Sequence, residues 1–158
     1  MKTRHLLYII LAALLCVGCH SKKPVYDETV LFPNHAWNRF NVVTFQPQIS
    51  RTDVFYDIEV SIHYADGFEY SEIPINTVMK APDGQVNVMR KVLGTRKADG
   101  SHEGSVYGDT WTVTKTVHAH RKFREAGNYT IEVHHMTQYF DLRGIEGVSC
   151  VVKPSEKQ

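Results

Sequence analysis

Four of the nine histidines fall in two short stretches, His118 and His120 in the first, His134 and His135 in the second. Imidazole titrates nearest neutrality of all side chains and is the commonest nitrogen ligand for zinc and copper, so chemistry is sought here first. Both stretches alternate. Trp111, Val113, Val117 and Ala119 interleave with Thr112, Thr114, Thr116, His118 and His120; Tyr129, Ile131 and Val133 interleave with Thr130, Glu132 and His134. A period of two marks a strand with one buried and one wet face. Folded as a hairpin centred on Ala126, the stretches would set His118 opposite His134 and His120 opposite Glu132. Cross-strand partners and residues two apart share a face, so His118, His120, His134 and Glu132 would meet there and could hold zinc or copper. The plainer expectation is a solvated sheet face without a cofactor, because a structural metal site closes with four ligands and no compact spacing motif is present.

Other reactive arrangements are sparse. The chain has no Gly-x-Ser-x-Gly elbow, no phosphate loop and no His-Glu-x-x-His helix. Asp57 and Glu59 could supply a glycosidase pair, but they fall on the polar side of one alternating stretch, where solvated carboxylates are the simpler reading. Cys150 stands in the apolar run Val148-Ser-Cys-Val-Val152, a setting that buries a thiol instead of activating it. The chain is therefore expected not to be an enzyme. Trp37 and Trp111, with Tyr64, Phe68 and Tyr70, could stack on sugar rings, which makes a carbohydrate-binding module of the envelope the alternative; packing in the core is the commoner use of such rings.

Those residues depend on elements that begin with an export signal. Lys2, Arg4 and His5 precede an apolar run from Leu6 to Val17, and small Gly18 stands directly before Cys19. About twelve apolar residues cannot cross a hydrocarbon core that requires roughly 20 in a helix. The run reads as a lipoprotein signal peptide, residues 1–18, with Cys19 as the lipidated residue and a covalent lipid as the membrane anchor. Residues 19–24 make a short polar tether ending in Pro24, residues 25–153 form one domain, and 154–158 are a tail. Cleavage removes two of the 18 basic residues and none of the 17 acidic ones, so the mature chain is near neutral. Without basic blocks, nucleic acid is not an expected partner.

Strand periodicity runs through the whole domain. It is clearest where Tyr56, Ile58, Val60, Ile62 and Tyr64 alternate with Asp57, Glu59, Ser61 and His63. Further strands are expected over 25–32, 41–46, 73–79, 85–93 and 147–153, separated by turns such as Ala65-Asp-Gly67, Ala81-Pro-Asp-Gly84 and Ala98-Asp-Gly100. About eight strands and no helix predict an all-β fold, an antiparallel β-sandwich of jelly-roll or immunoglobulin-like type. Residues 95–107, polar and rich in glycine, read as a disordered connection.

At the carboxyl end, Gly127-Asn-Tyr-Thr-Ile-Glu-Val-His-His-Met136, followed by Leu142-Arg-Gly-Ile-Glu-Gly-Val148, resembles the gliding-motility lipoprotein H family of Bacteroidetes. The amino-terminal half agrees in order, with Cys19, Val25-Tyr-Asp27, Leu31-Phe-Pro33, Trp37 and Val43-Thr-Phe45. The resemblance implies an envelope lipoprotein tied to the motility apparatus and its associated secretion, serving as a membrane-anchored scaffold with an envelope protein as partner. It implies no catalytic residue. The chain departs at Met136-Thr, where the family pattern has arginine in place of threonine. Surface-exported lipoproteins of that phylum carry acids just after the lipid cysteine; His20-Ser-Lys-Lys-Pro24 has none, so the expected location is the outer membrane facing the periplasm.

Overall fold

The computed structural model describes residues 23–156. The signal peptide, Cys19 and most of the tether lie outside the described residues. Thirteen strands follow one another within them. They are β1 (Tyr26–Leu31), β2 (Ala36–Asn38), β3 (Val43–Phe45), β4 (Gln48–Ile49), β5 (Phe55–Ala65), β6 (Glu72–Lys80) and β7 (Val86–Gly94), then β8 (Ser105–Tyr107), β9 (Thr110–Lys122), β10 (Gly127–Asn128), β11 (Thr130–His135), β12 (Asp141–Arg143) and β13 (Ile145–Pro154). Each of the eight stretches with the period of two became a strand. The expected number is low because β2, β4, β8, β10 and β12 have only two or three residues, too few to show a period. The carboxyl-terminal tail also starts later than expected, since β13 continues to Pro154.

All pairings are antiparallel. A five-stranded sheet has the order β1-β13-β5-β9-β8 and a four-stranded sheet the order β3-β11-β6-β7, with small ladders β4-β10 and β2-β12 at the margins. The two large sheets face each other as a β-sandwich. On β5 the alternation is literal: Tyr56, Ile58, Val60, Ile62 and Tyr64 are buried. They meet Ile73, Ile75 and Met79 of β6 and Ile131 and Val133 of β11 in one continuous core. Burying each such side chain contributes about 1.5–3 kcal/mol, so the sheet cores, with no disulfide among the described residues, hold the domain together. Cys150 is fully buried and free, and burial first, with Glu28 and Asp27 nearby, raises its thiol to about 12.

The connections cross repeatedly from sheet to sheet, and this overturns the hairpin expected around Ala126. β9 pairs with β5 and β8, whereas β11 pairs with β3 and β6. The cause lies in the connection. Phe123 and Tyr129 are both buried with ring centroids 4.6 Å apart, and Tyr129 donates its hydroxyl to the Glu125 carbonyl. Two large rings drawn into the core margin carry the chain across the sandwich; a tight turn back would have left them in water.

Residues 95–107 also differ from expectation, because they fold back as an ordered strap. The Tyr64 hydroxyl reaches the carbonyls of Thr95 (3.0 Å) and Glu103 (2.7 Å), and Arg96 donates to the Phe68 carbonyl at 2.6 Å. His102 lies between Trp111, stacked at 4.5 Å, and Tyr64 at 5.7 Å. Gly104, at φ +94°, passes so close to β9 that a Cβ would stand 2.0 Å from the Thr112 carbonyl oxygen. Gly104→Ala is therefore expected to cost more than about 1 kcal/mol; urea unfolding measures the loss, and an unchanged midpoint would contradict this close approach.

The sandwich has two distinct ends. Register places Tyr26, Val152, Ile58 and His118 across the sheet near the end where the chain enters from the tether. The turn from β5 to β6, the ladder β2-β12 and the segment after β11 belong to the far end.

Candidate functional site

The expected metal cluster is dispersed by the sheet assignment. His118 is buried on the core side of β9 opposite Ile58. His120, at φ +52°, stacks on Phe55 at 5.3 Å on the tether end. His134 lies on the outer face of the other sheet, with Nε2 3.8 Å from Glu132, whose other oxygen is 2.5 Å from Lys80 Nζ. His135 is buried against Trp37. No group of three or more His, Cys, Asp or Glu side chains converges on an ion position among the described residues.

The carboxylates considered for hydrolysis are engaged in structure. Asp57 accepts from Ser155 Oγ at 2.5 Å and the His120 amide at 2.8 Å. Burial pushes its carboxyl upward, but these donors, with His120 and Lys153 nearby, outweigh it and hold the group below the usual range. Glu59 is paired with Lys153 at 2.8 Å.

Neither tryptophan offers an open ring. Trp37 is 0 % exposed; it stacks on Phe32 at 5.8 Å, meets the His135 ring edge-on at 5.0 Å, and donates Nε1 to the Asn41 carbonyl at 2.9 Å. Trp111 is half-buried, with one face covered by His102 and Nε1 donated to Asp66 at 3.0 Å. Asp66 also lies 3.2 Å from His102 Nε2, so the three side chains close on one another.

What Trp37 does is position other residues. β2 pairs with β12 through Asn38↔Asp141, Trp37↔Leu142 and Ala36↔Arg143. Asn38 caps this short ladder, donating to Asp141 at 2.7 Å and accepting from the Phe40 amide at 2.9 Å. Arg39 ties the adjoining segments together, its amide bonded to the Phe140 carbonyl and its guanidinium to the Thr137 carbonyl. The result is a braced tip at the far end. Phe40 and Phe140 project from it, 74 % and 63 % exposed, with ring centroids 5.9 Å apart. Val42, Met136 and Tyr139 are exposed in the same two segments, and Tyr139 leans on Tyr70 at 4.7 Å.

Single exposed apolar side chains are ordinary, whereas a contiguous exposed aromatic group braced by hydrogen bonds stands apart from them. Strand periodicity overlooks this group because its residues stand outside any strand. The available signal was compositional: Phe40 in Asn-Arg-Phe-Asn and Phe140 in Gln-Tyr-Phe-Asp are apolar residues in polar company.

Comparison with known proteins gives one consistent picture. The family model described as GldH lipoprotein matches residues 24–151, nearly all of the described domain. A curated relative, the "Gliding motility lipoprotein GldH homolog" of Christiangramia forsetii, is 24 % identical over 147 residues, covering 92 % of this chain and 90 % of its own length. The match takes in the buried Trp37, both large sheets and the aromatic tip, and the chain belongs to the GldH lipoprotein family.

Proposed function

We propose that this chain is a non-enzymatic envelope lipoprotein, anchored through Cys19 to the outer membrane on its periplasmic face, that holds a protein of the gliding-motility or secretion apparatus against its aromatic tip. The observation that carries the reading is the exposed pair Phe40 and Phe140, fixed by hydrogen bonds at the end of the sandwich opposite the tether. Anchors of this kind contribute binding energy by leaving water for a partner's pocket, and little rearrangement is needed when the base is rigid. The tip's rings are tilted 53° to each other and form no flat platform, which favours a protein pocket over a sugar face.

The test is site-specific photocrosslinking in cells. A benzoylphenylalanine at position 140 is expected to capture one predominant envelope protein, while the same probe at Val88, on the outer sheet face, does not. Combining Phe40→Ser with a probe at Met136 should reduce the yield at least about tenfold, the loss of roughly 1.4 kcal/mol or more expected of a binding anchor. Equal adducts from both positions, or tip binding to isolated glycans with no protein adduct, would overturn the assignment.

A further inference from the structure

The tether end carries a second feature. Two irregularities in the β5–β9 register set Ile58 opposite His118 and Glu59 opposite Thr116, so β9 carries extra residues where it passes the edge of β7. Bulges of this kind re-aim side chains. Here they put Val117 and His118 in succession into the interior and open a groove of about 530 Å³ against Met89 and Lys91 of β7. The charged and titratable side chains lining it are Lys91, His118, His120, Arg121, Lys122 and Arg124, with no carboxylate among them.

Two buried nitrogens in this lining have no hydrogen-bond partner among the described residues, His118 Nε2 and Arg121 Nε. His118 is only 7 % exposed. An unsatisfied buried polar atom costs about 1–3 kcal/mol; Arg121 Nε is always a donor and His118 Nε2 is one in the tautomer that carries the proton there, so the two beside gathered cations suit an anionic acceptor. Burial first, then Arg121 on the same strand and Lys91 on β7, hold the imidazole below its ordinary range. Asp57 and Glu59 of β5 do not offset this, being on the opposite face of the sheet in bonds to Ser155 and Lys153.

The surroundings indicate where the anion comes from. Phe55, on the outer face at the start of β5, is 46 % exposed and reaches the groove's rim through two of its lining residues, stacking on His120 with Lys122 Nζ 5.9 Å from its ring centroid. An aromatic ring with cations around it is the arrangement favoured at a lipid headgroup layer. Position agrees. The chain between Cys19 and Val25 reaches at most about 20 Å, and β1 and β9 are three strand spacings apart, about 14 Å. We propose that the groove binds the phosphate of an anionic phospholipid headgroup in the anchoring leaflet, through Lys91, His118 and Arg121. The choice of a lipid phosphate rests on the lipid-anchored reading above. Its consequence is orientation: the tether end is drawn to the bilayer and the aromatic tip points away from it.

The test uses the full chain in nonionic maltoside micelles, with the His118 ring followed by NMR. Dihexanoylphosphatidylglycerol at millimolar concentration is expected to move the His118 resonances and raise its pKa by about one unit, as a neighbouring negative charge does; dihexanoylphosphatidylcholine is expected to do neither. Lys91→Ala, at the groove rim, should weaken the response severalfold with the remaining spectrum unchanged, and Arg121→Ala should abolish it. No response to the anionic lipid overturns the site. An equal response to phosphatidylcholine overturns the role of charge, and saturation by inorganic phosphate at the same concentration overturns the lipid. None of these readouts needs an acyl chain on Cys19, so an unacylated amino terminus in mass spectrometry would refute the anchor separately.

Discussion

Trp37→Ala lowers the unfolding free energy by about 3–5 kcal/mol, the range for removing a fully buried large aromatic side chain. For a domain of this size the loss corresponds to a fall in Tm of roughly 10–20 °C. The ring fills the space between Phe32 and His135 on the strand that pairs with β12. The same substitution deprives the Asn41 carbonyl of its indole donor. The tip above should loosen with it, seen as faster amide exchange over residues 39–42. Trp111→Ala makes the contrast: its ring is half-buried and lies on the His102 strap, so about 1–2 kcal/mol is expected. Chemical unfolding of both variants checks this, and equal losses would contradict the different placement of the two rings.

Acid destabilises the domain well above the carboxylate range. His63, His118 and His135 are all held below the ordinary histidine value, burial being the first cause in each. A base whose folded pKa is depressed binds fewer protons in the folded chain than in the unfolded one. Stability is therefore full above the unfolded value near 6.5 and falls as pH drops below it, until each folded pKa is passed. The slope is up to about 1.4 kcal/mol per pH unit for each histidine, hence roughly 4 for the three together. Asp57 is depressed in the acid sense, so its contribution is lost in a separate window, near and below pH 4. Urea unfolding between pH 7.5 and 5 measures the first window. His135→Phe should remove one proton's share of the slope, because the ring can still pack on Trp37 but cannot charge. A flat profile from pH 7.5 to 5 would show that the three imidazoles protonate freely in the folded state.

Much of the fold was legible because strand formation leaves a local record. The alternation from Tyr56 to Tyr64 reappears as burial on β5, and Cys150 is as inaccessible as its apolar neighbours imply. The turn signals likewise fall between the strands they separate, as Ala81-Pro-Asp-Gly84 does between β6 and β7. The matched family agrees with the resemblance carried by the closing Leu142 to Val148 pattern.

The sites were much less legible. A period of two says that His118 and His134 each belong to a strand; it does not say which strands are neighbours. Phe123 and Tyr129 carried the chain across the sandwich and separated the histidines, and a bulge on β9 turned His118 inward where simple alternation would have left it wet. The aromatic tip required two segments about a hundred residues apart to meet through Arg39, Asn38 and the ladder beneath them. By itself the sequence determined the longer strands, most of their core faces, the buried thiol and the family, because each is set by neighbours along the chain. Tertiary structure alone decided that Trp37 is buried as a brace under the tip, that the strap over Tyr64 is ordered, and that the cation groove and the aromatic tip lie at opposite ends, because sheet order and crossing connections are set by burial across the whole core.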